Sequence, residues 1–520
     1  MSKPQVMHYS PQMAGSHSDT SRSDHGSFDI AIIGAGPAGM SAAITASELG
    51  ASVVILDDKA RAGGQIYRNV SESPLDKPES LGEDYLYGRE LIERFQNCSA
   101  KKIYQATVWH VGDNGEVLFT QDKATRSLSA RELLICPGAM ERPFPIPGWH
   151  LPGVMSAGSA QVMLKSDGLV CDDAVFVGSG PLLYLIVAQY LRLGVRVKAL
   201  VDTTPRDNYI YSVQQLPGAL SKPNMLTKGL QLLNEIRKSG TPVYRHVTDV
   251  RIDSQDSENS DRVSGLRFTC SGKPELLAVG QVFLHQGVIP NLNMSRALNL
   301  QHHWCEQQLC WKPTLNQWGQ SSIASISVAG DGSGIVGAEG AEHMGRIAAL
   351  NQAARLGVIS DTERDQQAAD SLQRLATLNR FRRFIDRLYQ PAEEFRLPED
   401  DSTVVCRCEE QTLGQLKYGF SQGARGPNEL KGLTRCGMGP CQGRQCGHTI
   451  TELLAKWRGD SVDQVGYYRM RSPMRLLNLT ELSRFSRVEP DATEQSVVKE
   501  AAKKTVESAV ESTREKTGAA

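Results

Sequence analysis

The sequence predicts an α/β protein: two Rossmann-like dinucleotide-binding domains, followed by a small α-helical domain near the C-terminal end. Three observations predict it. Residues 28–58, FDIAIIGAGPAGMSAAITASELGASVVILDD, join an apolar run, a glycine turn, a small-residue helix pattern and a second apolar run ending in an acid. Residues 174–202 repeat that plan with GSGPLL and Asp202. Five of the eleven cysteines fall within residues 406–446.

Each part of the first stretch has a physical task. The apolar run from Ile30 to Ile33 reads as a parallel strand buried on both faces. Gly34 permits the tight turn out of it, Gly36 lets the backbone approach a pyrophosphate, and Gly39 lets the helix pack close to the strand. The helix N-terminus then faces the phosphates. Asp57, 23 positions after Gly34, stands where an acid bonds a ribose hydroxyl. A chance glycine triplet would lack the strand before it, the helix after it and the acid in place.

Length and charge set the bounds. A chain of 520 residues makes several domains and a large core. Lysine and arginine total 57 against 58 acids, a net charge of −1, which gives no electrostatic footprint for nucleic acid. Residues 1–27 are rich in Ser, His, Asp and Pro without an apolar core, and read as a disordered leader, not a secretory signal. Clustered cysteines read as a metal or cluster site in a reducing compartment, not a disulfide framework.

The second stretch contains 18 residues without a charge, 174–191, the length at which a membrane span is considered. Gly178 and Gly180 stand at a strand-to-helix turn, and the run Val195 to Val201 ends on Asp202. A buried βαβ unit therefore explains the run better. Leu183 occupies the third glycine position, so the bound nucleotide itself is left open.

Further signals lie between and after these units. Gly63, Gly64 and Gln65 fit either a loop beside a flavin or an ordinary turn. LLICPGAMERPFPIPG, residues 133–148, reads as a strand running into a Pro/Gly-punctuated crossing, and FLHQGVIPN, residues 283–291, as a strand running into a turn. In VAGDG a strand ends at Gly330 and Asp331, and a Gly/Ala-rich helix follows. An acid so placed can accept a hydrogen bond from a polyol hydroxyl. His285 and His343 read as structural histidines before proton-transfer groups, and Arg142 as an anion contact or surface charge before a catalytic group. Cys98, Cys136, Cys171, Cys270, Cys305 and Cys310 are scattered, and lone cysteines behave as small core residues, so no dithiol mechanism is expected. Residues 360–398 have apolar positions at helical spacing and read as a connector with a solvated face.

The cysteine-rich stretch opens with a C-x-C pair, Cys406 and Cys408. Cys436, Cys441 and Cys446 follow at C-x4-C intervals among glycines. Thiolates suit zinc and iron–sulfur clusters, and a [2Fe–2S] cluster needs four. Structural zinc is the rival. A flavin-type domain in the same chain favours the redox cluster, because two centres make one electron path. Spacing does not select four ligands from five.

GAGPAG with Asp57, then CPGAMERPFPIPG, GSGPLL and VAGDG stand in the order found in the two-dinucleotide-domain flavoproteins, which residues 28–357 resemble. The resemblance implies FAD in the first unit, with Asp331 at the ribityl–pyrophosphate region. It implies a discontinuous FAD domain, residues 28–157 and 281–357, with a NAD-like domain, residues 158–280, inserted. That second domain is a place for NAD(P) or ATP. A helical connector then spans 358–400. Residues 401–458 resemble the bacterioferritin-associated ferredoxin domain, in the variant fused to flavoprotein subunits and marked by GMGPCQGR. This implies Cys406, Cys408, Cys441 and Cys446 as cluster ligands, with Cys436 as an alternate. Residues 459–487 resemble the closing segment, and 488–520 form a charged tail.

Taken together, residues 28–482 resemble the A or α subunits of multi-subunit amino-acid and opine dehydrogenases: opine oxidases, hydrogen cyanide synthase, and hydroxyproline and proline dehydrogenases. The resemblance implies an FAD- and [2Fe–2S]-containing oxidoreductase subunit. It would pass electrons while a partner flavoprotein subunit oxidises an amino acid, imino acid or opine. It implies a heteromer in the cytoplasm, without a transmembrane segment and open to peripheral attachment at the inner face of the membrane. Two other readings remain: a self-sufficient NAD(P)H-dependent reductase, against which Leu183 counts, and a nucleotide-sensing scaffold with a zinc knob, against which the cysteines beside a flavin signature count.

Overall fold

The computed structural model describes residues 27–254 and 262–487. The expected leader and charged tail lie outside the described residues.

The first sheet begins with β1 (Phe28–Ile33), α1 (Pro37–Glu48) and β2 (Val53–Leu56). Proline at the start of α1 removes an N–H that the first turn would leave unbonded in any case. Next come α2 (Glu83–Asn97), β3 (Lys101–Ile103), β4 (Thr107–Val111), β5 (Glu116–Gln121) and β6 (Ala124–Ile135). The strand order is β3-β2-β1-β6-β5-β4. Pairing is parallel from β3 through β6, and β6, β5 and β4 form an antiparallel meander.

The chain crosses through β7 (Ala139–Glu141) into β8 (Val154–Ser156), α3 (Ala157–Asp167), β9 (Ala174–Ser179), α4 (Pro181–Arg192) and β10 (Val197–Asp202). Then follow α5 (Arg206–Ser212), α6 (Leu216–Ala219), α7 (Pro223–Lys238), β11 (Val243–Arg245), the three-stranded β12 (Thr248–Ser254), β13 (Val263–Cys270) and β14 (Lys273–Ala278), and β15 (Val282–Gln286). The second sheet is parallel in the order β11-β10-β9-β15-β8. The charge-free run is β9 plus α4, and no helix among the described residues is long and apolar enough to cross a membrane.

Both expected domain boundaries need correcting here. β8 lies before Ala157 and β15 after Gln281, yet both strands pair inside the second sheet. A fully buried strand reads the same in either sheet, so the apolar run did not reveal which one it joins.

The return crossing is β16 (Val288–Pro290), antiparallel to β7. After α8 (Asn293–Ala297) comes a hairpin, β17 (His302–Cys305) and β18 (Cys310–Pro313). β19 (Ile326–Val328) then pairs with β6 in the first sheet. α9 (Ala338–Arg355) lies directly on α1: a Cβ at Gly345 would stand 2.0 Å from the Ala38 carbonyl oxygen. α10 (Asp361–Leu388) is one long connector helix, started by a capping box between Ser360 and Glu363.

The C-terminal part contains β20 (Val404–Cys406), β21 (Gln411–Thr412), α11 (Leu413–Ser421), α12 (Pro427–Thr434), α13 (Gly447–Arg458) and α14 (Val462–Val465). Leu413, Leu416, Leu430, Ile450 and Leu454 form its core, completed by Trp304 and Trp311 of the β17–β18 hairpin. The closing segment runs back over the first sheet: the Met474 N–H donates to the Trp109 carbonyl at 2.9 Å. After α15 (Leu479–Ser483), β22 (Phe485–Arg487) pairs with β6.

Candidate functional site: a glycine-lined cleft beside a cysteine cluster

The first glycine turn is built as three separate fits. A Cβ at Gly34 (φ +105°) would lie 2.3 Å from the Cys136 carbonyl oxygen, and a Cβ at Gly39 would lie 1.9 Å from the Gly34 carbonyl oxygen. These two glycines bring strand, crossing and helix together. Gly36 differs: it has an extended backbone, and a Cβ there would meet only the Gly64 Cα, at 3.9 Å. Although a Cβ at Gly64 would stand 3.0 Å from the Gly36 Cα, Gly64 and the open side of Gly36 both line a cavity of about 1440 Å³. This is larger than the roughly 300–1,000 Å³ of an ordinary ligand cleft.

Asp57 sits at the mouth of this turn. Its Oδ2 accepts the Ala35 N–H at 2.6 Å and its Oδ1 accepts the Lys59 N–H at 2.8 Å. Each oxygen keeps a second lone pair for a ribose hydroxyl. Burial raises the Asp57 pKa above the usual carboxylate value, opposed by those two N–H groups. On the other side, a Cβ at Gly330 (φ +71°) would stand 2.9 Å from Ala38 Cβ, so the end of β19 lies against the start of α1. Asp331 Oδ1 accepts the N–H groups of Val336 and Gly337 at 2.8 and 3.0 Å, and Oδ2 takes no bond among the described residues. Gly34, Gly36, Asp57, Gly64, Gln65, Gly330 and Asp331 all line the one cavity, whereas Gly39 stays behind it as a packing residue. An elongated cleft with a bare backbone cradle in the middle and carboxylates flanking it fits a flavin dinucleotide.

The second glycine turn is closed from within. A Cβ at Gly178 would lie 1.7 Å from the His285 carbonyl oxygen, and Gly180 stands 3.4 Å from the position of His285 Nε2 by the same measure. Asp202, 1% exposed, has both oxygens engaged: Tyr184 Oη donates to Oδ2 at 2.7 Å and the Thr204 N–H to Oδ1 at 2.8 Å. Tyr389 packs on Tyr184, and Asn208 Nδ2 ties the end of α10 across the opening through the carbonyls of Leu388 and Gln390. Neither Gly178 nor Gly180 lines the large cavity.

All five clustered cysteines converge. The sulfurs of Cys406, Cys436 and Cys446 lie within 4.8 Å of one another. These three are almost wholly buried, whereas Cys441 is 9% exposed and Cys408 is half-buried. The Cys408 thiol is within hydrogen-bonding reach of the thiol and backbone of Cys441. The Cys406 thiol is held far below its ordinary pKa, first by hydrogen bonds from Cys436 and Cys446 and then by the N–H groups of Gly437 and Glu409. The neighbouring thiols of Cys436 and Cys446 are pushed up as Cys406 is pushed down, so the trio favours one thiolate held by two thiols, with the Cys408–Cys441 pair beside it. This donor set fits a thiolate-held cluster.

Cys441 lies outside the buried trio, and Cys436, the alternate of the sequence reading, sits inside it. The turn after Arg435 (φ +64°) carries it inward, which spacing alone did not reveal. The glycines of this loop have a packing role. Cβ atoms at Gly437 and Gly443 would meet the Tyr468 ring at 2.7 Å, and one at Gly447 would meet Tyr467 Oη at 2.1 Å. The paired tyrosines of the closing segment fill the space that the glycines leave.

Several residues were placed differently by sequence reasoning or missed. Arg142 is not a surface charge: it is buried and donates to the carbonyls of Gln286, Leu309 and Gln308 at 3.2, 2.8 and 2.7 Å. His285 Nδ1 lies 2.8 Å from Glu141 Oε2, and Glu141 Oε1 accepts the Gly158 N–H at 2.6 Å, so this pair ties the crossing to the second unit. His343 meets Ser371 Oγ between α9 and α10 at 3.2 Å. Lys165 gave no signal, since a lysine on a helix reads as surface. It is 3% exposed, its Nζ donates to the carbonyls of Gln65 and Ile66, and burial, reinforced by Arg68, pushes its pKa down to about 7.

The cleft and the cysteines are neighbours. Arg407, Arg444 and Gln445 of the cysteine loops line the same cavity as Gly36 and Asp57, and Arg475 Nη2 lies 3.8 Å from Asp58. Trp149, also on that cavity, donates from Nε1 to the Val404 carbonyl at 2.5 Å, two residues before Cys406.

A family model described as pyridine nucleotide-disulphide oxidoreductase matches residues 28–356. The A subunit of opine oxidase from Rhizobium meliloti is 39% identical over 465 residues, covering 88% of this chain and 87% of that protein. Hydrogen cyanide synthase subunit HcnB of Pseudomonas aeruginosa is 33% identical over 460 residues, covering 85% of this chain and 96% of that one. Among solved structures, L-proline dehydrogenase from P. horikoshii has the same fold with a TM-score of 0.63 at 16% identity, over 88% of this chain and 79% of the other.

Proposed function

The chain belongs to the pyridine nucleotide-disulphide oxidoreductase family and is an oxidoreductase, and from that premise we propose that it is the electron-transferring subunit of a multi-subunit amino-acid or opine dehydrogenase. Its relatives are themselves named as subunits. FAD is held at Gly34, Gly36, Asp57, Gly64, Gln65, Gly330 and Asp331. A [2Fe–2S] cluster is held by Cys406, Cys408, Cys441 and Cys446. The partner is a second flavoprotein subunit that oxidises the amino acid, imino acid or opine. The complex works in the cytoplasm, where thiols stay reduced.

The single observation that carries this reading is the shared cavity: residues of the cysteine loops and of the glycine turn line one space. When bound, FAD supplies hydride and one-electron chemistry and the cluster supplies one-electron transfer. The chain's own residues bind, orient and insulate. Gly36 and Gly64 admit the pyrophosphate, Asp57 and Asp331 accept hydrogen bonds from hydroxyls, and Tyr467 and Tyr468 cover the cysteine site. Among the described residues of the cleft, Glu141 is bonded to His285 and the Lys165 ammonium is tied to the carbonyls of Gln65 and Ile66, so neither is assigned the proton of an amine. That work falls to the partner.

The alternative, a reductase fed by NAD(P)H, is disfavoured by Asp202. Asp202 is 1% exposed behind Tyr184 and Thr204, whereas Asp57 lines the open cleft, so the remaining lone pairs of Asp202 are closed to a ribose hydroxyl. The second unit is therefore proposed as a scaffold. The test is to purify the chain alone and with its flavoprotein partner and mix each anaerobically with amino acids and opines. The complex should bleach the flavin of this chain, and the isolated chain should not. Substrate-driven bleaching of the isolated chain, or bleaching by NADH, would refute the reading.

A further inference from the structure

Five sulfurs converge where a two-iron cluster takes four. They divide unevenly. Cys408 and Cys441 form a pair on the outer side. Cys406, Cys436 and Cys446 form a trio on the buried side, every sulfur within 4.8 Å of the other two. The C-x-C pair is split between the two groups. Two sulfurs on one iron must stand roughly 3.5–4 Å apart, given metal–sulfur bonds near 2.3 Å in tetrahedral geometry. The trio, with all three sulfurs within 4.8 Å of one another, is already close to that spacing.

We propose that Cys436 is a reserve ligand. The outer iron is held by Cys408 and Cys441 without a substitute. The inner iron is held by Cys406 together with either Cys446 or Cys436. This rests on the iron–sulfur reading above.

The anchoring supports it. Cys436 follows the end of α12 and Cys446 immediately precedes α13, so each is fixed by its own helix and neither depends on the other for its place. Tyr468 Oη donates to the Cys436 carbonyl at 3.0 Å and lies 3.6 and 3.9 Å from the sulfurs of Cys436 and Cys446, holding both in one pocket. In the loaded site the fifth sulfur stays a neutral thiol, because another buried negative charge beside an anionic cluster has no partner. With Cys446 replaced, Cys436 would supply the missing thiolate, its proton passing to water.

The test uses the full chain, purified anaerobically, with iron content, visible spectrum and the EPR spectrum of the dithionite-reduced protein as readouts. Cys436→Ala and Cys446→Ala should each retain iron and a two-iron EPR signal, the latter with altered g-values. The double variant should lose iron by about tenfold or more, and Cys441→Ala should behave like the double variant. Serine versions of the same set keep the side-chain volume. There the step from Cys446→Ser to Cys436→Ser/Cys446→Ser isolates Cys436 should an alanine variant fail to fold. If Cys446→Ser loses iron as fully as its double variant while keeping the wild-type thermal transition, Cys436 is no reserve and the proposal falls alone. Zinc without iron in the wild-type chain overturns the iron–sulfur reading itself.

Discussion

Replacing Gly36 and Gly39 separately by alanine distinguishes a ligand-facing glycine from a packing glycine three residues away. At Gly36 the added methyl meets nothing in the protein closer than the Gly64 Cα at 3.9 Å, an ordinary contact, and the extended backbone accepts any residue. Stability should stay within about 0.5 kcal/mol of the parent. The methyl nevertheless projects into the cradle, and overfilling a close-packed site costs roughly 1–3 kcal/mol. Flavin affinity should therefore fall roughly 5- to 100-fold, at about 1.4 kcal/mol per tenfold, and Gly36→Val should bind less still. At Gly39 the methyl falls 1.9 Å from a backbone carbonyl oxygen that cannot swing away. There stability should drop by about 1–3 kcal/mol or more, and flavin binding should weaken with it. FAD titration of flavin-stripped protein and urea melts of the same samples give both numbers. A Gly36→Ala variant that binds FAD with parental affinity, or one that is as destabilised as Gly39→Ala, would refute the assignment.

Other outcomes follow from buried polar groups. Lys165 has a folded pKa of about 7, below its unfolded value near 10.4. The unfolded chain holds the proton more tightly between those values, so stability should rise with pH across about 7–10, by at most about 1.4 kcal/mol per unit. In Lys165→Met that rise should flatten, as urea melts at several pH values will show. Trp149→Phe removes the donor to the buried Val404 carbonyl and should cost about 1–3 kcal/mol of stability, read from the denaturation midpoint. Tyr184→Phe strips Asp202 of one partner and should cost a similar ~1–3 kcal/mol, while NADH should still fail to bleach the flavin in a stopped-flow trace.

Much of the fold was legible because glycines and apolar runs carry steric information locally. Gly34 and Gly39 make the close backbone approaches that strand–turn–helix geometry asks, and Gly36 opens onto the cleft. The sheet membership of β8 and β15 was not legible, since a buried parallel strand has no polar face to mark its side. Nor was the burial of Lys165 or the place of Cys436. Both depend on what arrives from elsewhere in the chain: the Gln65 loop over Lys165, and Tyr468 across the glycine loop. The plug over Asp202 depends on the end of α10, nearly 200 residues downstream in sequence, and sequence periodicity does not carry such pairings.

The claim that a flavin and an iron–sulfur cluster are neighbours in this chain is tested most directly by the anaerobically purified chain itself. Iron, zinc and flavin analysis with visible and EPR spectra on one sample should give one FAD and one [2Fe–2S] cluster per chain, both reducible by dithionite. Flavin accompanied by zinc, or iron without flavin, would contradict it.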